Sequence, residues 1–190
     1  MSPKHAITLP VDRARLAGLK AGDEVLLSGD VFTARDATHL RLVEELRASG
    51  ALPYGLEGQV LFYAGPTPQA AGRPAGAVGP TTAKRMDAHT PELMRAGIVA
   101  TIGKGARSAQ VREACVQTGG VYFAAVGGAA ALLATHVAAA ETVAYPELGT
   151  EALVRMTLAG LPVFVAIDAT GNDLYQIAPA AWRAGEDEDR

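Results

Sequence analysis

Short apolar runs that alternate with helix-periodic stretches predict an α/β domain, a mixed and at least partly parallel sheet with flanking helices. Three observations carry this. Residues 59–64 and 120–126 are compact and apolar, the pattern of strands buried on both faces. Residues 36–48 repeat apolar positions at steps near one helical turn. Of the 190 residues, 49% are hydrophobic and 19% charged, enough to bury one core of ordinary size.

The elements follow in order. Residues 5–9 form a first short strand, and Lys20-Ala21-Gly22-Asp23 a turn. Residues 24–27 and 31–34 read as two strands around Gly29-Asp30. In the helix at 36–48, Ala37, Leu40, Val43 and Leu46 share a face, with Glu44, Glu45 and Arg47 outside it. Gly50 and Pro53 stop it. The strand at 59–64 leads into residues 65–80, mostly Gly, Pro and Ala, which read either as a flexible surface excursion or as a functional loop. Residues 81–87 open a short helix. Thr90-Pro91-Glu92 opens another, with a capping hydroxyl, proline in the first turn and an acid near the positive helix end. A strand at 98–102 ends at Gly103-Lys104-Gly105, and Ser108 caps a helix running to about Gln117. A strand at 120–126, a helix at 129–135 and strands at 141–145 and 163–168 follow, with a turn at Gly171-Asn172-Asp173. The domain is expected to span 1–183, with 184–190 a solvated, disordered acidic tail.

The formal net charge of −3 argues against nucleic acid as the main partner. The single cysteine, Cys115, excludes an intrachain disulfide and a thiolate metal cluster built from this chain. It suits a reducing cytoplasm and reads as a buried small hydrophobe. The first residues hold no apolar run of signal-peptide length. Residues 114–140 lack Asp, Glu, Lys and Arg. Gln117, Gly119-Gly120, Gly127-Gly128 and His136 interrupt them, which predicts helix end, strand, turn and helix rather than a membrane span.

Arg35-Asp36-Ala37-Thr38-His39 stands where a strand hands over to a helix. Arg35 and His39 are placed to share a face. A helix start presents unpaired amides to an anion, a guanidinium grips a carboxylate, and an imidazole moves a proton near neutral pH. The plainer reading makes Asp36 a cap and leaves the other two at the surface. Thr81, Thr82, Lys84 and Arg85 after Pro80 make either a carboxylate cradle or a capped turn with solvated cations. Lys104 lies at the carboxyl end of a strand, where ligands of parallel sheets collect. Neither a Walker loop nor a dinucleotide fingerprint is present. The small residues Gly127 to Ala131 suit close helix–sheet packing or, less simply, ligand amides. His5, His39, His89 and His136 lack metal-site spacing. Together these residues describe an anion-binding surface without naming a reaction.

The motifs Thr33-Ala34-Arg35-Asp36-x-x-His39, Tyr63-Ala64-Gly65-Pro66, Gly79-Pro80-Thr81-Thr82-x-x-Arg85-Met86-Asp87, Ile102-Gly103-Lys104-Gly105 and Gly127-Gly128-Ala129-Ala130 occur in this order. Over nearly the whole chain they resemble the class I fumarases and the related L(+)-tartrate dehydratases, in the β subunit or the equivalent C-terminal domain. The resemblance implies a swivelling β/β/α domain. It implies a hydro-lyase interconverting fumarate and (S)-malate in an α2β2 assembly, with a [4Fe–4S] cluster on three cysteines of the α subunit and none on this chain. It implies a site between the subunits that this chain alone cannot operate. Arg35, Arg85 and Lys104 would hold carboxylates, Thr81 with Thr82 would sit at the carbon losing its proton, and His39 is the other acid–base candidate. Tartrate dehydration is an alternative, and a non-catalytic carboxylate-binding module is one of a different class. Thr38 departs from the alanine frequent in the family.

Overall fold

The computed structural model describes residues 4–69 and 71–188, with side chains through 183. In chain order these form β1 (Lys4–Thr8), α1 (Arg13–Ala17), β2 (Glu24–Thr33), α2 (Asp36–Ser49), β3 (Val60–Phe62) and a 3-10 turn at Ala83–Met86. There follow α3 (Thr90–Ala96), β4 (Ala100–Gly103), α4 (Ala109–Thr118), β5 (Val121–Ala124) and α5 (Ala130–Ala134). The chain continues with β6 (Val137–Ala144), a kinked 3-10 turn at Pro146–Glu151, β7 (Leu153–Ile167) and α6 (Leu174–Glu188).

The sheet is mixed, as the alternation predicts. Strands β1 to β5 pair in parallel in sequence order, and β7 runs antiparallel to β2, β5 and β6. Pairing of β2 with β7 from Glu24↔Phe164 to Thr33↔Val154 closes β2, β3, β4, β5 and β7 into a ring. Side chains alternate across its wall. Val60, Phe62, Ile102, Val121 and Phe123 join Val25, Leu27, Met156 and Val163 in one core. Leu61 and Tyr122, from the opposite face, join Leu42, Leu93, Met94 and Val111 beneath α2, α3 and α4. Burial on both faces explains the continuous apolar runs of the central strands. Each large side chain contributes about 1.5–3 kcal/mol relative to exposure.

Several elements differ from the sequence expectation. Residues 24–33 are one strand with a bulge between Leu27 and Gly29, not two strands around a turn. Gly29 is required there: its φ is +104°, and a Cβ would lie 2.4 Å from the Leu9 carbonyl oxygen. The final strand begins at Leu153 rather than 163, running through Gly160 and Pro162, residues that ordinarily argue against a strand interior. Helix α1 carries no strong apolar period. The short helix expected at residues 81–87 is a 3-10 turn at Ala83–Met86. Helix α6 takes in residues 184–188 of the expected tail, and 189–190 lie outside the described residues. The Gly/Pro segment is pinned: Thr67 N–H donates to Ala77 O at 3.0 Å, Ala77 N–H donates to Thr67 Oγ1 at 2.8 Å, and Ala75 and Val78 are buried. No described helix is long and apolar enough to cross a membrane.

Candidate active site

The neighbouring carboxyl ends of β2, β3 and β4 carry most of the predicted residues. Beyond β2, Arg35 takes an extended conformation as the N-cap of α2 and makes no side-chain cap of its own. The cap comes from Glu151, whose Oε2 accepts the Ala37 N–H at 2.8 Å. The other Glu151 oxygen lies 3.3 Å from Arg35 Nη2. Asp36 opens the helix and holds Arg85, with Nε donating to Oδ1 at 3.0 Å and Nη2 lying 2.7 Å from Oδ2. Both guanidinium groups are thus tethered at one helix start, and Arg35 Nε is buried without a hydrogen-bond partner.

Beyond β3, Pro80–Ala83 is spliced between two strand ends. Thr81 N–H donates to Tyr63 O at 2.6 Å, Lys104 N–H donates to Thr81 O at 3.1 Å, and Ala83 N–H donates to Lys104 O at 2.9 Å. Pro80 fits a position that needs no donor. Gly103 permits the splice: a Cβ would lie 2.9 Å from Ala83 Cβ and 3.0 Å from the Tyr63 ring. Beyond β4, the Lys104 stem lies across Gly127, where a Cβ would meet its Cδ at 3.3 Å. Gly127 therefore makes room for the lysine. A cavity of about 320 Å³ beside Lys104, lined also by Val126, Phe164 and Tyr175, is otherwise apolar. Arg35, Thr81 and Lys104 are half-buried, and Thr82 and Arg85 are exposed, so the cluster opens to solvent. Among the described residues the Lys104 ammonium is in no ion pair, unlike the two arginines.

His39 is placed differently. It is fully buried, its Nδ1 is 2.8 Å from Arg35 O, and its ring meets Tyr63 edge-on at 5.1 Å. Its Nε2 is buried without a hydrogen-bond partner. Burial pushes its pKa from 6.5 down to about 4, so the ring is neutral at pH 7.

Sequence reasoning missed the support behind the site. Arg107, with a side chain 0% exposed, donates from Nε to Asp87 Oδ1 at 2.6 Å and from Nη2 to Thr90 Oγ1 at 2.8 Å. It stacks over Tyr63 and Tyr122 at 5.2 and 4.8 Å. Asp87 also accepts the Ser108 N–H at 2.6 Å. The assigned motif ends at Asp87, and that was the one available signal. For Glu151, distant in sequence, there was none.

A cluster of iron and sulfide does not fit this chain's residues. Cys115 is buried in α4, and burial pushes its thiol up to about 12. Among the described residues no group of three or more His, Cys, Asp or Glu side chains is arranged to hold a metal ion.

The family model described as "Fumarase C-terminus" matches residues 3–178. The chain belongs to this family. The anaerobic class I fumarate hydratase of Escherichia coli K12 is 39% identical over 165 residues, which cover 86% of this chain and 30% of that protein. Fumarate hydratase 2 of Leishmania major is 36% identical over 178 residues, 92% of this chain and 31% of the relative. The chain therefore spans roughly a third of the fumarate hydratases it matches. A putative L(+)-tartrate dehydratase subunit beta of Methanocaldococcus jannaschii is 36% identical over 164 residues, 83% of this chain and 84% of that subunit.

Proposed function

We propose that this chain is the β-type, substrate-binding part of a [4Fe–4S]-dependent hydro-lyase that interconverts fumarate and (S)-malate. The cluster is assigned to a separate α subunit, in an α2β2 assembly, because the residues of this chain do not suit it. One observation carries the reading: Arg35, Arg85, Lys104 and the hydroxyls of Thr81 and Thr82 gather at three adjacent strand ends, where α/β sheets bind ligands. Kinship with fumarate hydratases supports a dicarboxylate as the anion.

Hydration adds a hydroxyl to one alkene carbon of fumarate and a proton to the other. In the reverse direction the proton leaves a carbon next to a carboxylate, and the electron pair it leaves spreads into that carboxylate. Cations fixed before the reaction stabilise this charge. Lys104, with no acid partner among the described residues, suits that role, and Arg35 and Arg85 clamp the dianion. Thr81, half-buried at the strand ends, is the group on the substrate side that moves the proton. A threonine hydroxyl serves as a base only where cations stabilise its alkoxide. That task is assigned to Lys104, whose backbone N–H donates to Thr81 O, and to Arg85, four residues on from Thr81. Buried, neutral His39 holds the Arg35 carbonyl instead.

A second reading, L(+)-tartrate dehydratase, rests on the relative of matching length, which carries that name. Anaerobic co-expression with a cysteine-bearing partner subunit, followed by turnover of fumarate, (S)-malate and L-tartrate, decides. Fumarate and malate are expected as substrates, and Lys104→Ala is expected to lower kcat by roughly 10²-fold or more. Turnover of tartrate alone selects the second reading. No turnover by a fully loaded complex leaves a carboxylate-binding module.

A further inference from the structure

We infer that Glu151 is the positioning residue for Arg35: from the turn Pro146–Glu151, outside the motifs shared with the family, it aims the guanidinium into the site. The inference rests on the reading of Arg35 as a substrate clamp. Glu151 meets the start of α2 three times. Its Oε2 accepts the Ala37 N–H at 2.8 Å, its Oε1 lies 3.3 Å from Arg35 Nη2, and its carbonyl accepts the Thr38 hydroxyl. Thr38 thus has a partner on the same residue. On the other side of Arg35 stands Gly65. A Cβ there would lie 2.7 Å from Arg35 Nη1 and 2.7 Å from the Thr150 carbonyl oxygen, so the guanidinium sits in a slot between Gly65 and residues 150–151.

The turn is held against α2 along its length. Tyr145, just before it, has φ +56° and donates its hydroxyl to Glu45 at 2.8 Å. Tyr54, at φ +55°, donates to the same carboxylate at 3.2 Å, and the two rings meet edge-on at 5.5 Å. A positive φ is strained for a bulky aromatic residue, and two such residues converge on one acceptor. Arg41 and Glu147 add an ion pair at 3.6 Å between these two fastenings. The turn is thereby fixed in register with the helix whose first residues carry the site. A residue that holds a binding group in place sustains affinity more than the chemical step.

Glu151→Gln keeps an oxygen for the Ala37 N–H and removes the charge facing Arg35. Two measurements test the inference. In the full chain, ¹⁵N NMR should show the Arg35 Nη signals restricted in the wild type and averaged in Glu151→Gln, with those of Arg85 unchanged. Unaltered Arg35 signals would overturn the inference without any assay of activity. In the assembled enzyme, KM for the dicarboxylate should rise about tenfold with kcat within about threefold. Thr38→Val, which loosens the same contact without touching the ion pair, should leave KM near wild type. Equal KM effects in the two variants would reduce Glu151 to a structural cap and overturn the inference. Arg35→Ala separates the two levels. If it abolishes activity while Glu151→Gln leaves KM unchanged, the positioning role fails. If Arg35→Ala is fully active, the reading of the site fails, and the NMR result alone decides whether Glu151 holds Arg35.

Discussion

At the scale of single residues, type and position do not decide role until burial is known. His39 and Thr81 are equal candidates in the sequence. In the fold one is fully buried and neutral and the other is half-buried at the strand ends. The sign of the pH effect follows. The imidazole is held to about 4 in the native state, against 6.5 unperturbed. Between those values the unfolded chain binds a proton that the folded chain refuses, so stability from this group is present above about pH 6.5 and lost as pH falls toward 4. The full effect is roughly 3 kcal/mol. Urea midpoints should fall between pH 7 and pH 5, and the His39 ring protons should show no NMR titration between about pH 5.5 and 8. A midpoint above pH 6 would contradict a buried neutral ring. Arg35, Thr81, Thr82, Arg85 and Lys104 were each identifiable from motif and local context. The acids that hold the arginines were not, since Glu151 lies on a distant turn and Asp36 read simply as a cap.

At the scale of elements, the site depends on how the segment after Gly79 is threaded between β3 and β4. Two features hold it there. Gly103 leaves space for Ala83 and the Tyr63 ring, both fully buried. Gly103→Ala must push them apart, and a loss of about 1–3 kcal/mol in urea denaturation is expected. Behind them Arg107 ties the turn at Asp87 to Thr90 on α3 and Thr101 on β4. Arg107→Met leaves the Asp87 carboxylate, 10% exposed, without its cation. Removing one partner of a buried pair costs about 3–5 kcal/mol, and the same denaturation assay should show it. A change under 1 kcal/mol would mean that water already serves Asp87. Helix α2 was readable from its apolar steps and its stop at Gly50, although Leu40, expected on the apolar face, is exposed and Thr38, His39 and Leu42 are buried beside Val43 and Leu46. Helix α4 was readable from its cap at Ser108. The single strand β2 was not, because a glycine bulge looks like a turn when its partner strand is unknown.

At the scale of the whole molecule, the closed ring and the helices packed on it give this chain two continuous cores of its own. It should fold cooperatively by itself, with coincident circular dichroism and fluorescence transitions in urea. It should nevertheless hydrate no fumarate until a cluster-bearing partner is added. Fumarate hydration by the pure, iron-free chain would refute the division of labour proposed above.

The alternation of strands and helices, the set of cations and hydroxyls, the lack of cysteines for a cluster, and the kinship those motifs carry are all legible in the sequence. Local patterns suffice for these, because periodicity and capping act within a few residues. The tertiary structure alone decided the ring closure by β7, the neutrality of His39, and the grip of Glu151 on Arg35 and of Asp36 on Arg85. Each depends on groups far apart in the chain that meet only after the core has packed, and such meetings leave no period in the sequence.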